Sequence, residues 1–126
     1  MKKTRPPLSK SEWMLMNICW RRGRSTARQI FDESLESYER DYRTVKTMLD
    51  RMVTKGYLAV EKLGPLCLYQ PAVPRREAVS GAIREFIDTV LDRTVAPLFV
   101  HLADEEELSE EELDALQKLV DSAGES

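Results

Sequence analysis

The spacing of apolar residues changes character at Gly56, and that change limits the folds open to this chain. Before it, Val45, Met48, Leu49, Met52 and Val53 fall at i, i+3, i+4, i+7 and i+8, which predicts a helix over 42–55. Asp41 is a suitable N-cap for that helix, and Gly56 sits where a left-handed residue closes one. After it, Tyr57-Leu58-Ala59-Val60-Glu61 and Leu66-Cys67-Leu68-Tyr69-Gln70 are rich in β-branched, aromatic and aliphatic side chains and predict two short strands. Lys62 to Pro65 reads as the turn between them, centred on Gly64-Pro65.

Two more helices precede this pair of strands. Ser9-x-x-Glu12 is a capping box, with Leu8 and Trp13 placed as a hydrophobic staple. The helix it opens is apolar nearly all round: Trp13, Met16, Cys19 and Trp20 on one face, Met14, Leu15 and Ile18 on the other. Such a helix belongs in the middle of its domain. Arg21, Arg22 and Gly23 end it. Thr26-x-x-Gln29 caps the next helix, whose inward stripe is expected to be Ala27, Ile30, Phe31, Ser34 and Leu35. A polar linker, Glu36 to Arg40, follows.

Three helices and then a hairpin is the order of a winged helix-turn-helix domain. The expected class is therefore mainly α with a small β-wing, the winged domain spanning residues 1–73. Pro71 and Pro74 mark a joint, and residues 74–126 read as a helical region. There Val79, Ile83, Phe86, Ile87, Val90 and Leu91 repeat at helical steps, with a break expected near Asp92 to Thr94. A helix from Val95 to Leu102 keeps Pro97 in its first turn, where proline is tolerated. Asp104 to Glu107 is a charged connector, and Ser109-x-x-Glu112 caps a last helix carrying Leu113, Leu116, Leu119 and Val120. These segments are too thin to hold a private core of any size, so a second copy of the chain is the expected cover. The residues expected at that dimer interface are Ile83, Phe86, Ile87, Val90, Leu98, Phe99, Leu102, Leu113, Leu116 and Leu119.

The net charge of -3 is unevenly spread. Residues 1–76 hold 16 Lys/Arg against 8 Asp/Glu, a balance of +8; residues 77–126 hold 3 against 14, a balance of -11. A basic front half suits a polyanion, because each neutralised phosphate releases condensed counterions. The outer arc of the third helix is where that charge is best placed. Arg43, Thr44, Lys46, Thr47, Asp50, Arg51 and Thr54 lie opposite its apolar stripe. Arg, Lys and Thr can hydrogen-bond base edges or phosphates, and threonine packs on thymine methyls. Asp50 runs against this reading, since a carboxylate repels phosphates unless it accepts from a cytosine amino group.

Other classes are disfavoured. Cys19 and Cys67 make no disulfide framework, which fits a reducing, cytoplasmic setting. One histidine, His101, without a Cys/His cluster leaves no standard zinc site, and no metal or cofactor is expected. No apolar run approaches the roughly 20 residues of a membrane-spanning helix, so no membrane insertion is expected. Nothing groups a nucleophile, a base and an orienting acid, and the chain is read as not an enzyme.

The stretch Leu8-Ser9-Lys10-Ser11-Glu12-Trp13-Met14-Leu15-Met16, ending in Trp20, resembles the opening of the penicillinase-repressor family (BlaI/MecI/CopY). The run Arg43-Thr44-Val45-Lys46-Thr47-Met48-Leu49-Asp50-Arg51-Met52, then Lys55-Gly56-Tyr57-Leu58, is similar to its recognition helix and first wing strand. Leu108-Ser109-Glu110-Glu111-Glu112-Leu113 is similar to the start of its last helix. The resemblance spans about Leu8 to Val120 and implies a dimeric bacterial repressor that binds a pseudo-palindromic double-stranded DNA operator, often upstream of antibiotic-resistance or stress genes. It implies DNA contacts from Arg43, Thr44, Lys46, Thr47 and Arg51, with Lys62 as the wing cation. In members controlled by a membrane-bound sensor protease, induction cuts the dimerisation region; the matching bond here is His101–Leu102, where the best-known members have an Asn–Phe pair. The wing tip departs from the family, with Leu63-Gly64-Pro65-Leu66 in place of basic and aromatic residues, and Tyr42 replaces a smaller residue or proline. The Cys-x-Cys pair of copper-responsive members is absent. The rival reading is a winged-helix adaptor that binds protein rather than specific DNA, and the two differ in how steeply binding falls with salt.

Overall fold

Side-chain caps decide where each helix of the N-terminal part begins. In a computed structural model of the chain, which describes residues 5–37, 39–104 and 108–124, the Ser9 hydroxyl accepts from the Glu12 N–H at 3.2 Å while Glu12 Oε1 accepts from the Ser9 N–H at 2.8 Å. Thr26 and Gln29 make the same reciprocal pair, and Asp41 Oδ1 accepts from the Thr44 N–H at 2.7 Å. Each cap satisfies backbone donors that the first helical turn leaves unpaired. The helices so begun are α1 (Lys10–Arg22), α2 (Ala27–Ser34) and α3 (Tyr42–Lys55). Gly56 closes α3 at φ 92°, in the left-handed region where a side chain is strained.

The strands form one antiparallel sheet in the order β1 (Ser25–Thr26), β3 (Leu66–Pro71), β2 (Leu58–Leu63). Strand β2 runs past the expected end at Glu61 to Leu63, which pairs with Leu66, so the turn is only Gly64 and Pro65. Gly64 has φ 59° in the first turn position, as a type II′ hairpin requires. Strand β1 was not expected: two residues are too short to show a period, and they are held by pairing Ser25 with Tyr69 and Thr26 with Leu68.

The core is drawn from every element around α1. Leu15, Met16, Ile18 and Cys19 of α1 are buried with Ile30, Val45, Leu49, Met52, Tyr69 and Val73. One residue of the expected α2 stripe is corrected: Leu35 is 46% exposed, because the helix ends at Ser34 and Leu35 is its C-cap. Trp20 Nε1 donates to the Val73 carbonyl at 2.9 Å, tying α1 to the end of the hairpin.

The chain divides into two compact units, Met1–Ala82 and Ile83–Ser126. Helix α4 (Arg75–Thr89) begins in the first, where Arg75 Nε donates to Asn17 Oδ1 at 3.1 Å and Ala78 packs on the core. In the second unit the chain turns at Asp92 (φ 49°) and Arg93 (φ 67°), the Arg93 N–H reaching back to the Ile87 carbonyl at 2.8 Å. This reach spans six positions, one more than a Schellman helix end, and two successive left-handed residues make the turn, aspartate tolerating the position that glycine usually fills. Helix α5 (Ala96–Asp104) holds Pro97 in its first turn, and Ser109 with Glu112 caps α6 (Glu110–Gly124). Asp104 therefore closes α5, while the rest of the expected connector, 105–107, lies outside the described residues. Among the described residues no helix is long and apolar enough to cross a membrane.

One buried ion pair anchors the first unit. Glu12 is 2% exposed; its Oε1 takes the Lys55 ammonium at 2.7 Å, and Lys55 also donates to the Pro7 carbonyl at 3.1 Å. Burial pushes the Glu12 carboxyl up, but Lys55 and the Ser9 N–H outweigh it and hold the group below its ordinary range. A carboxyl whose folded pKa lies below its unfolded value of about 4.3 stabilises the fold above that pH, and the contribution is lost as pH falls through the folded value. Lys55→Ala is expected to cost on the order of 3 kcal/mol in a urea titration, by leaving Glu12 buried and unpaired. Glu12→Gln is expected to be less stable at neutral pH, yet to lose less stability than the wild type on acidification.

Candidate nucleic-acid interface

Burial of one arc of α3 turns the other arc outward. Val45, Leu49 and Met52 are fully buried and Met48 nearly so. On the opposite side Arg43, Thr47, Asp50, Arg51 and Thr54 are exposed, with Thr44 and Lys46 half-buried. Five of the six residues expected to meet DNA (Arg43, Thr44, Lys46, Thr47 and Arg51) thus share one helix face. The sixth, Lys62, stands apart on β2 of the wing, also exposed.

That face forms one wall of an open cleft of about 580 Å³, whose other wall is the start of α1. Arg40, Arg43, Arg51 and Lys55 line it together with Ser11 and Thr47. Its acid is Glu12, whose charge Lys55 already matches. The cleft therefore carries an excess of positive charge, as a site for repeated phosphates requires. Neither Arg43 nor Arg51 makes a hydrogen bond or close ion pair with a carboxylate among the described residues, though Arg43 helps to lower the pKa of Asp41 from a distance. Arg40 was missed in the sequence, where it reads as linker; its Nη2 donates to the Ser11 hydroxyl at 3.1 Å across 29 positions of chain.

Asp50 has a partner that the sequence did not announce. Its Oδ2 takes the Lys46 ammonium at 2.8 Å and its Oδ1 accepts from the Tyr69 hydroxyl at 2.5 Å. The Lys46 ammonium also lies 5.5 Å from the Tyr69 ring centroid, within cation–π range. These contacts raise the Lys46 pKa, with Asp50 the larger cause and Tyr69 the next. Burial raises the Asp50 carboxyl, but Lys46 and Tyr69 outweigh it and bring it below its ordinary range. Burial first and the Asp50 hydrogen bond second push the Tyr69 hydroxyl up. Lys46 thus does not stand as a bare cation.

Tyr42, at the start of α3, packs edge-on to Phe31 at 5.7 Å, and the Arg28 guanidinium lies 4.8 Å from its ring centroid. This ties α2 to α3 at the entrance of the basic face. The wing tip is apolar: Leu63 and Leu66 are each about half exposed, and Arg24 is ion-paired with Glu61 midway along the hairpin.

The second unit presents a different surface. Helices α4 and α5 bury no residue. Ile83, Phe86, Val90, Phe99 and Leu113 are exposed, and Ile87, Leu98, Leu102 and Leu116 are half-buried. The side chain of Leu119 lies outside the described residues. His101 and Leu102 lie inside α5, the first exposed and the second half-buried. Cys19 is sealed in the first unit's core, where burial drives its thiol up to about 12.

A model of the penicillinase repressor family matches residues 8–122. An uncharacterized 16.5 kDa protein encoded in the ptsI 3' region of Latilactobacillus sakei is 31% identical over 90% of this chain and 77% of its own length. The methicillin resistance regulatory protein MecI of Staphylococcus aureus is 24% identical over 90% of this chain and 92% of its own. Among solved structures, the monomeric form of BlaI from Bacillus licheniformis in complex with the blaP half-operator superposes with a TM-score of 0.52 at 25% identity, over 60% of this chain and 93% of that one.

The basic face is a surface, not a support. Arg43→Ala and Arg51→Ala are expected to shift unfolding free energy by no more than about 0.5 kcal/mol. Leu49→Ala, on the opposite arc, is expected to cost about 2–5 kcal/mol. Urea titrations of the three variants check both statements.

Proposed function

We propose that this chain, which belongs to the penicillinase repressor family, is a DNA-binding transcriptional repressor that works as a homodimer on a pseudo-palindromic operator. The observation that carries the reading is the outer face of α3. Arg43 and Arg51, in no close ion pair among the described residues, stand with Thr44 and Thr47 along a cationic cleft. The half-operator bound by the Bacillus licheniformis structure supports DNA as the polyanion. In this reading α3 lies in the major groove, Arg43 and Arg51 reach base edges or phosphates, and the threonines pack on backbone or thymine methyls. Lys46 reaches DNA from its place beside Asp50, and Lys62 offers a phosphate contact from the wing.

Residues 1–73 are assigned to DNA binding and 74–126 to dimerisation. The compact first unit reaches Ala82 because the first turns of α4 rest on the DNA-binding core through Ala78. Ile83, Phe86, Val90, Phe99 and Leu113 are exposed apolar side chains that a second copy would cover, supported by Ile87, Leu98, Leu102 and Leu116. Leu119 is placed in the same interface from its spacing in α6. Two-fold pairing sets the two α3 helices roughly one DNA turn, about 34–36 Å, apart. Repression ends when the pair is loosened. A cut at His101–Leu102 by a membrane-bound sensor protease would do this, since it separates α6 and the end of α5 from the rest. The relatives' names, methicillin resistance and penicillinase, make an antibiotic-resistance gene the first target to test.

Anisotropy titration of a duplex selected by the wild-type chain from a randomised pool tests the DNA reading. Affinity is expected to fall steeply with salt, and Arg43→Ala or Arg51→Ala to cost about 1–3 kcal/mol of operator binding. A weak salt dependence with both variants unchanged would favour the adaptor instead. Deletion from Thr94 onward is expected to give a monomer with poor operator affinity, because the second half-site no longer acts at high effective concentration. A stable dimer of that fragment in sedimentation would place the interface elsewhere.

A further inference from the structure

A carboxylate in the middle of a DNA-reading face costs affinity, because it faces a backbone of the same sign. Asp50 stands on such a face, one helical turn after Lys46 and, around the helix, between Lys46 and Thr47. Though Asp50 is exposed, both of its oxygens are held, one by the Lys46 ammonium at 2.8 Å and the other by the Tyr69 hydroxyl at 2.5 Å. Tyr69 comes from β3, is 1% exposed, and lends its ring to the same ammonium at 5.5 Å. Three groups from two elements therefore close on one another, and the only rotatable cation among them is restrained twice.

Resting on the DNA-binding reading above, we infer that Asp50 is a specificity-determining residue, which with Tyr69 holds the Lys46 ammonium at one place on the α3 face and keeps it from pairing with arbitrary phosphates. An unpaired lysine is a point charge on a flexible stem, and it settles on whichever phosphate is near. Such a contact strengthens binding to any duplex and carries no sequence information. Lys46 spends one of its three N–H donors on Asp50 and keeps the others for an acceptor that comes to a fixed spot, such as guanine O6 or N7. Asp50 also cancels one unit of charge in the sequence-independent attraction. The pair so arranged weakens general affinity and sharpens selection. Asp50 acts through Lys46 and is a positioning residue, not a contact.

The test compares the wild type, Asp50→Asn, Lys46→Ala and the double variant on two duplexes: one selected by the wild-type chain from a randomised pool, and a scrambled duplex of equal length. Asparagine can still accept from Tyr69, so the packing of β3 on α3 is kept while the charge is removed. Asp50→Asn is expected to bind the scrambled duplex more tightly, with its salt slope steeper by about 0.9, the value of one added phosphate contact. The selected-to-scrambled affinity ratio is expected to fall roughly fivefold or more. In the Lys46→Ala background the same substitution is expected to change neither slope nor ratio. A merely structural role for Asp50 would lower binding to both duplexes and leave the slope alone, and that result overturns the inference. So does a gain of equal size with or without Lys46, which would make Asp50 a simple repulsive charge. Should Asp50→Asn not fold, Tyr69→Phe loosens the same pair with both charges kept and is expected to lower the ratio; an unchanged ratio counts against the inference. A wild type that selects no duplex at all removes the DNA-binding reading itself, whereas wild-type selection with unaltered variants removes only this inference.

Discussion

Three side chains on one arc of α3, Val45, Leu49 and Met52, are sealed from water, and that burial decides the direction of every other residue in the helix. Turning the helix by one residue would move about 100° of arc from core to solvent and expose several methylenes, each costing about 0.8 kcal/mol. The outer face is therefore not set by its own contacts. Arg43, Thr47 and Arg51 are placed by what lies behind them, and Asp41 and Gly56 fix where the helix starts and stops. A reading surface built in this way can vary its outer residues with little effect on the fold.

The second constraint is the buried pair of Glu12 and Lys55. It joins the first turn of α1 to the last residue of α3, the two walls of the cationic cleft. A buried ion pair contributes little net stability against an apolar substitute of equal volume, but it penalises any other arrangement in which one charge is left alone. Its effect here is to fix the spacing of α1 and α3 while adding no net charge to the cleft. Lys55 is thus a structural cation among exposed ones, a distinction that sequence gives no sign of.

Local rules were legible in the sequence and long-range pairs were not. The three Ser/Thr capping boxes and the ends of α3 follow from residues three or four apart, and the structure places them as expected. The start of the hairpin and the turn at Gly64-Pro65 were likewise visible, because a change of period and a glycine are local facts. Arg40 with Ser11, Lys55 with Glu12 and Tyr69 with Asp50 join residues 29, 43 and 19 positions apart, and no spacing rule connects them. Asp50 is the instructive case. Taken alone on a helical wheel it argues against DNA binding, whereas beside Tyr69 it becomes the partner of a lysine. Leu35 failed for a related reason: its periodicity is right, but α2 stops one residue earlier.

The wing shifts weight onto the rest of the molecule. Its tip carries Leu63 and Leu66 where a cation would meet a phosphate, and Arg24, midway along the hairpin, is occupied by Glu61. In the proposed reading each head then relies on α3 and its cleft, and loses the phosphates a basic wing would add, each worth about 0.9 in the salt slope. A head that is weak alone depends more on its twin, since the second binding event draws its strength from effective concentration. In the same proposed reading the acidic second unit, which DNA would repel, supplies that linkage through the exposed apolar residues of α4 and α5. Under that proposal release comes from loosening the helical interface, without any change in the α3 residues proposed to read DNA.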